Sequence, residues 1–192
     1  KNGVHGSLAL SYGSYNTKGA DADLSYKDEK ITAQVLASYL DTDGFSALAP
    51  RFAEADGYEN KSYNIKLGYT FNENNKLNLI YNDIETDTEY DGLDADDENT
   101  NGDSKQKNYA MDYTYTQENY SAILRTSKSD IKRNYISLGQ FSSYTSLNKA
   151  TSKEYSFINQ YAYGKNKAIL GFEYKDIDGL FDSVFNSSWG SI

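Results

Sequence analysis

From Lys61 to Phe71 apolar and polar positions alternate without a break, with Tyr63, Ile65, Leu67, Tyr69 and Phe71 on one parity and Asn64, Lys66, Gly68 and Thr70 on the other. A period of two places the two sets on opposite faces of an extended strand. The same pattern returns from Lys107 to Thr116, where Tyr109, Met111, Tyr113 and Tyr115 oppose Asn108, Ala110, Asp112, Thr114 and Thr116. Weaker copies run over Gly6 to Tyr15, Lys18 to Tyr26, Lys30 to Leu40, Lys76 to Ile84, Tyr120 to Asp130, Glu154 to Tyr163 and Lys167 to Asp176. Together they predict about nine strands of roughly ten residues each. Apolar residues do not recur at three and four, so no helix is predicted.

The connections differ in length on the two sides. Short polar turns stand at Asp28-Glu29, Asn72 to Asn75, Gln117 to Asn119 and Gly164 to Asn166. Long polar loops span about 41 to 60, 85 to 106 and 131 to 152, and only the connection near Asn16 is short on that side. This asymmetry predicts an all-β fold, a transmembrane antiparallel β-barrel with its short turns in the periplasm and its long loops outside the cell. A tilted strand of about ten residues crosses the hydrocarbon layer, and closing the sheet satisfies every backbone group inside it. A soluble β-sandwich alternates in the same way, but the loop asymmetry favours the barrel. Bacterial single-chain barrels have even strand numbers. An odd count therefore leads us to expect part of a larger barrel, ending inside an extracellular loop from Asp178 to Ile192.

Composition narrows the function. Leu, Ile, Val and Phe make up under a fifth of the 192 residues, while Tyr alone contributes 19. That is too little aliphatic material for a large dry core, whereas Tyr at strand ends fits an aromatic girdle at a membrane interface. With no Cys and a single His, disulfides and thiolate metal sites are excluded and imidazole chemistry has almost no material. A nucleophilic Ser would need His5 as its base, and His5 reads as structural, so no enzyme is expected. Trp189 reads as a loop or girdle aromatic. A formal net charge of −9 argues against nucleic acid. Arg125, Lys128, Lys132 and Arg133 form a basic stretch on the seventh strand, read as a contact for lipopolysaccharide and outer-membrane lipid or as a solvated strand end.

The acidity is concentrated. Between Asp83 and Asp103 lie seven Asp and three Glu with no Lys or Arg, which leaves the rest of the chain near neutral. Such a run is either a solvated surface or a cation site. Asp97-Glu98-Asn99-Thr100-Asn101-Gly102-Asp103 fits the first half of an Asp-x-Asn-x-Asn-Gly calcium loop, although position twelve is Asn108 rather than Glu. Asp41, Asp43, Glu54, Asp56 and Glu59 form a second acidic group on the neighbouring hairpin.

Gly6-Ser7-Leu8-Ala9-Leu10-Ser11-Tyr12-Gly13-Ser14-Tyr15-Asn16-Thr17 resembles the first barrel strand and hairpin of TonB-dependent outer-membrane receptors. Ala37 to Phe45, Asp56 to Ser62 and Glu89-Tyr90-Asp91-Gly92 resemble the cobalamin (vitamin B12) transporter branch of that family. The likeness covers residues 3 to about 110 well and the rest loosely. It implies that residues 1–192 are the N-terminal part, about nine strands, of a barrel of about 22 strands. The resemblance further implies that the barrel is closed by a plug domain, absent from this chain, and energised through TonB. It also implies a small-molecule nutrient, cobalamin or otherwise an iron chelate or haem, bound at loops that calcium orders. The matching ligand positions are Glu54, Asp56, Tyr90 and Asp91, completed by one of Asp94, Asp96, Asp97 or Asp103; Ser46 stands where the family has a further carboxylate. A passive porin is the alternative, although its constriction would carry facing acidic and basic residues.

Overall fold

The computed structural model describes residues 2–46, 55–91, 100–139 and 142–187. Nine strands form one antiparallel sheet in chain order: β1 Gly3–Tyr12, β2 Lys18–Lys27, β3 Ile31–Thr42, β4 Tyr58–Asn72, β5 Asn75–Glu89, β6 Asn101–Gln117, β7 Tyr120–Leu138, β8 Ser142–Tyr163 and β9 Asn166–Ser187. No helix occurs among the described residues. Every predicted strand is present. A single layer has no interior, and Thr100 is the one fully buried side chain among the described residues. The sandwich alternative, which needs two packed sheets, does not describe this chain.

Register separates two faces. One carries Leu8, Leu24, Val35, Ile65, Leu67, Leu79, Tyr109, Met111, Leu124, Phe157 and Phe172 on neighbouring strands. Its large apolar side chains stand open, Leu8 at 71% and Phe172 at 67% exposure, and a patch this continuous needs a partner phase. The opposite face is polar and hydrogen-bonded within itself. Gln34 Nε2 donates to Asp23 at 2.8 Å, Asn64 pairs with Asn82, and Arg125 grips Asp112 through Nε at 2.6 Å and Nη2 at 3.0 Å.

The edges of the apolar band give its geometry. Tyr12 shares one row of the register with Lys18, Asp41, Glu59, Asp87, Asp103, Asn134, Leu147 and Asp182. Counted from that row, the loop-side tyrosines step down across the sheet: Tyr39 by two residues, Tyr63 by four, Tyr81 and Tyr109 by six, Tyr155 and Tyr174 by eight. The turn-side edge follows, from Tyr26 through Tyr69 and Tyr113 to Tyr120 and Tyr161. Eight residues at ~3.3 Å against eight strand steps at ~4.8 Å correspond to a strand tilt of about 35°. Strands in membrane barrels slope by this amount. The band is therefore level only when the strands are tilted as a barrel requires.

Three connections are shorter than the sequence indicates. The loop expected over 85 to 106 is confined to 90–100, the one over 41 to 60 to 43–57, and β7 and β8 pair almost to their tips, with Gly139 N donating to Ser142 O at 2.8 Å in place of a loop over 131 to 152. Likewise β9 continues to Ser187 through the region read as a terminal loop. Beyond the band both faces carry polar side chains, so hydrophobic alternation disappears while the ladder persists. Ion pairs such as Lys105–Glu85 at 3.2 Å and Lys128–Asp130 at 2.6 Å take its place.

At the turn end Asp28 closes the β2–β3 hairpin by accepting from Tyr26 Oη at 2.7 Å and from the Lys30 and Ile31 amides at 2.8 and 2.6 Å. These bonds, the Tyr26 hydroxyl first, hold the Asp28 carboxyl below its ordinary range. A lowered folded-state value stabilises the turn above the unfolded carboxyl value, and that stabilisation is lost as pH falls through the folded one. Protection of the Lys30 and Ile31 amides against exchange, relative to the unstructured rate at each pH, should therefore decline below about pH 4, and Asp28→Asn should abolish that decline.

Candidate ligand site at the loop end of the sheet

The described ends of the 43–57 connection are tied to their neighbours. Gly44 takes φ +66°, and a Cβ there would run into the Asp56 carbonyl, so only Gly allows the two ends of the connection to meet. Gly57 N donates to Glu89 Oε2 at 2.9 Å and Glu89 N returns a bond to Gly57 O at 2.9 Å. On the other side Asp43 N donates to Tyr15 O at 3.0 Å, and the Tyr15 and Phe45 rings lie 5.7 Å apart.

Two different surfaces meet at this end. On the band's own face Asp41, Glu59, Asp87 and Asp103 stand directly opposite one another across β3, β4, β5 and β6. With Asp43 and Glu89 they line a cleft of about 710 Å³. Like charges directly opposite destabilise a sheet by about 0.2–1 kcal/mol per pair. Lys61 partly offsets this, its Nζ lying 2.6 Å from Glu59. Asp87→Asn should therefore raise sheet stability by about 0.2–1 kcal/mol at low salt, and the gain should shrink as ionic strength rises. Denaturant titration at two salt concentrations measures both effects.

The polar face at the same end is aromatic. Tyr90 N donates to Thr100 O at 2.9 Å, which sets the Tyr90 ring over Gly102. The Tyr90 and Tyr135 centroids are 5.9 Å apart and those of Tyr135 and Tyr144 5.8 Å, each pair tilted by 52°. Tyr58 shares the row of Gly102 and Tyr135. Two residues below Tyr135, Arg133 occupies the same face between Ser104 and Asn148. Its side chain is exposed and, among the described residues, forms no ion pair. Tilted aromatic rings and an uncommitted guanidinium on the lumen side can hold a planar anionic ligand, the rings by stacking and the fork by paired hydrogen bonds to carboxylate.

The expected metal ligands are spread over this region. Glu54, Asp94, Asp96 and Asp97 lie outside the described residues. Asp56 packs its carbonyl against Gly44, Tyr90 belongs to the aromatic group, and Asp91 follows Tyr90 at the end of β5. Asp103 is no loop residue. It lies in β6 opposite Asp87 and accepts from Asn134 Nδ2 at 2.9 Å on both oxygens. The described end of the calcium-loop segment, Asn101 to Asp103, is likewise extended, with Asn101 and Gly102 paired to Glu89 and Thr88, so Gly102 makes no tight turn. Among the described residues no three carboxylates or imidazoles converge on a point that could hold a metal ion. The basic stretch also divides. Lys128 and Lys132 point to the band's face, Arg125 and Arg133 to the polar face.

No family model and no curated protein matches the sequence. Among solved structures, the sheet matches the crystal structure of the ferric citrate transporter FecA in the unliganded form, with a TM-score of 0.74 over 96% of this chain at 8% identity. The chain has the fold of an outer-membrane barrel wall. It spans 30% of that transporter's chain.

The carboxylate row and the aromatic group were both missed by sequence reasoning. Asp41 and Glu59 were noted as acidic residues, but their alignment with Asp87 and Asp103 depends on register across three hairpins. Tyr135 and Tyr144 fell in a segment read as loop, although their spacing from Arg133 and Ser146 already has the period of a strand.

Proposed function

We propose that the chain is part of the wall of an outer-membrane receptor that binds a scarce nutrient at its extracellular loop end and imports it with TonB-derived energy through a plug domain. The nutrient of this proposal is an iron chelate bearing carboxylates. The observation that carries it is the loop-end polar face, where Arg133, without an ion pair among the described residues, lies two residues below Tyr135, whose ring meets those of Tyr90 and Tyr144. The likeness to a ferric citrate transporter supports the same reading at the level of fold. Cobalamin, implied by the resemblance of the loop segments, is the second reading, and it rests on the acidic loops. In that reading Ca²⁺ is held by Glu54, Asp56, Asp91 and some of Asp94, Asp96 and Asp97. No catalytic role is assigned to any residue.

Calorimetric titration of the receptor that carries this chain, with ferric citrate and with cobalamin, each with calcium and with chelator, separates the readings. Calcium-independent binding of the iron chelate is expected. Binding of cobalamin alone, strengthened by calcium because the ion orders the loops that the ligand touches, would favour the second. Binding of neither at micromolar concentration would return the chain to a passive barrel.

A further inference from the structure

The apolar part of the band's face is indented beside β6 and β7. A groove of about 530 Å³ is floored by Leu67, Leu79, Met111 and Thr126, closed on the β8 side by Tyr155 and bounded toward the loop end by Tyr109, Lys128 and Lys153. It exists because Thr126 is small in a row where Met111 and Tyr155 flank it. It runs across the strands from β4 to β8 along one row of the register, and its loop-side rim meets the tyrosine edge, the depth at which lipid headgroups begin.

Four lysines stand at the β7 and β8 end of that rim. Lys128 and Lys153 stand directly opposite each other on β7 and β8, and four residues further toward the loops Lys132 and Lys149 repeat the pairing. The four mark a rectangle roughly 5 Å wide and ~13 Å long, with Asp130 opposite Thr151 at its centre. Lys128 is engaged by Asp130 at 2.6 Å, whereas Lys132, Lys149 and Lys153 form no ion pair among the described residues. Lys105 extends the upper row on β6 while holding Glu85, and Asp176 of β9 faces Lys153. Two like-charged pairs in direct register oppose folding unless an anion joins them. Two cationic levels separated by ~13 Å exceed the span of one phosphate and match a headgroup that carries two.

We infer that this groove and lysine rectangle form a binding site for an outer-leaflet glycolipid with two phosphates, its acyl chain lying over Leu67, Leu79, Met111 and Thr126 and its phosphates held at the two lysine levels. The inference rests on the band lying in a bilayer. The occupant is set by charge complementarity above an apolar groove, since a lipid tail alone accounts for the groove but not for the lysines.

The test uses the receptor that carries this chain, folded in detergent micelles and probed by native mass spectrometry. The probes are diphosphoryl lipid A, its dephosphorylated form and phosphatidylglycerol. One diphosphoryl lipid should be retained, with the other two bound on the order of tenfold more weakly or worse. Lys128→Gln/Lys153→Gln and Lys132→Gln/Lys149→Gln should each weaken retention by on the order of tenfold, whereas Lys18→Gln/Lys61→Gln, on the same face away from the groove, should not. Equal retention by wild type and either groove variant, or equal retention of the dephosphorylated lipid, would overturn the inference. Quenching of tyrosine fluorescence by brominated acyl chains keeps the two ideas apart. Intact quenching with indifferent lysines overturns only the lipid site, and absent quenching overturns the membrane placement beneath it.

Discussion

Leu67→Arg should lower the stability of the folded protein in a bilayer by about 2–4 kcal/mol, while Lys66→Gln, one residue away, should change it by less than about 0.5 kcal/mol. Leu67 is on the apolar face, between Tyr63 at the loop-side edge and Tyr69 at the turn-side edge, and is paired with Ala33 and Leu79. A guanidinium there has hydrocarbon around it at close to the deepest point of the band. Lys66 points to the polar face, opposite Gln34 and Ile80. Urea titration of the protein refolded into liposomes measures both differences. Equal small losses at the two positions would mean that the apolar face meets no lipid.

Arg133→Ala should weaken binding of a ferric carboxylate chelate by on the order of tenfold to a hundredfold, equivalent to about 1.5–3 kcal/mol for charge-assisted hydrogen bonds. Lys132→Ala should leave that binding unchanged, because Lys132 lies on the opposite face of the same strand. The contrast between adjacent residues separates a specific contact from a general loss of positive charge at the mouth. Arg133→Lys should recover only part of the affinity, since an ammonium lacks the planar fork. If Lys132→Ala and Arg133→Ala weaken binding equally, the ligand is drawn by field alone and the aromatic face is no site.

All nine strands were legible in the sequence because a single sheet with one apolar and one polar face imposes opposite polarities on alternate residues, most regularly from Tyr63 to Phe71 in β4 and from Tyr109 to Thr116 in β6. What the pattern could not show was where pairing stops. Tyr120 to Leu138 remains one strand although its outer half reads Lys-Ser-Asp-Ile-Lys-Arg-Asn, because ladder hydrogen bonds continue there without a hydrophobic rule. The site was less legible for a related reason. Asp41, Glu59, Asp87 and Asp103 come from four strands, and a one-residue change in any hairpin register would scatter them. Composition could locate the acidity but not align it. The tilt, in contrast, is written into the sequence once register is known. The tyrosines on each edge recede by about one residue per strand, which is what keeps an aromatic edge level on tilted strands.

Membrane placement is tested most directly by accessibility along β4. The chain has no native cysteine, so single cysteines from residue 61 to residue 71 can each carry a spin label in liposomes. Oxygen accessibility should peak at Tyr63, Ile65, Leu67 and Tyr69, with accessibility to a polar nickel chelate peaking at Asn64, Lys66, Gly68 and Thr70. Two profiles in phase with each other, or oxygen maxima at the polar positions, would contradict a wall whose apolar face meets lipid.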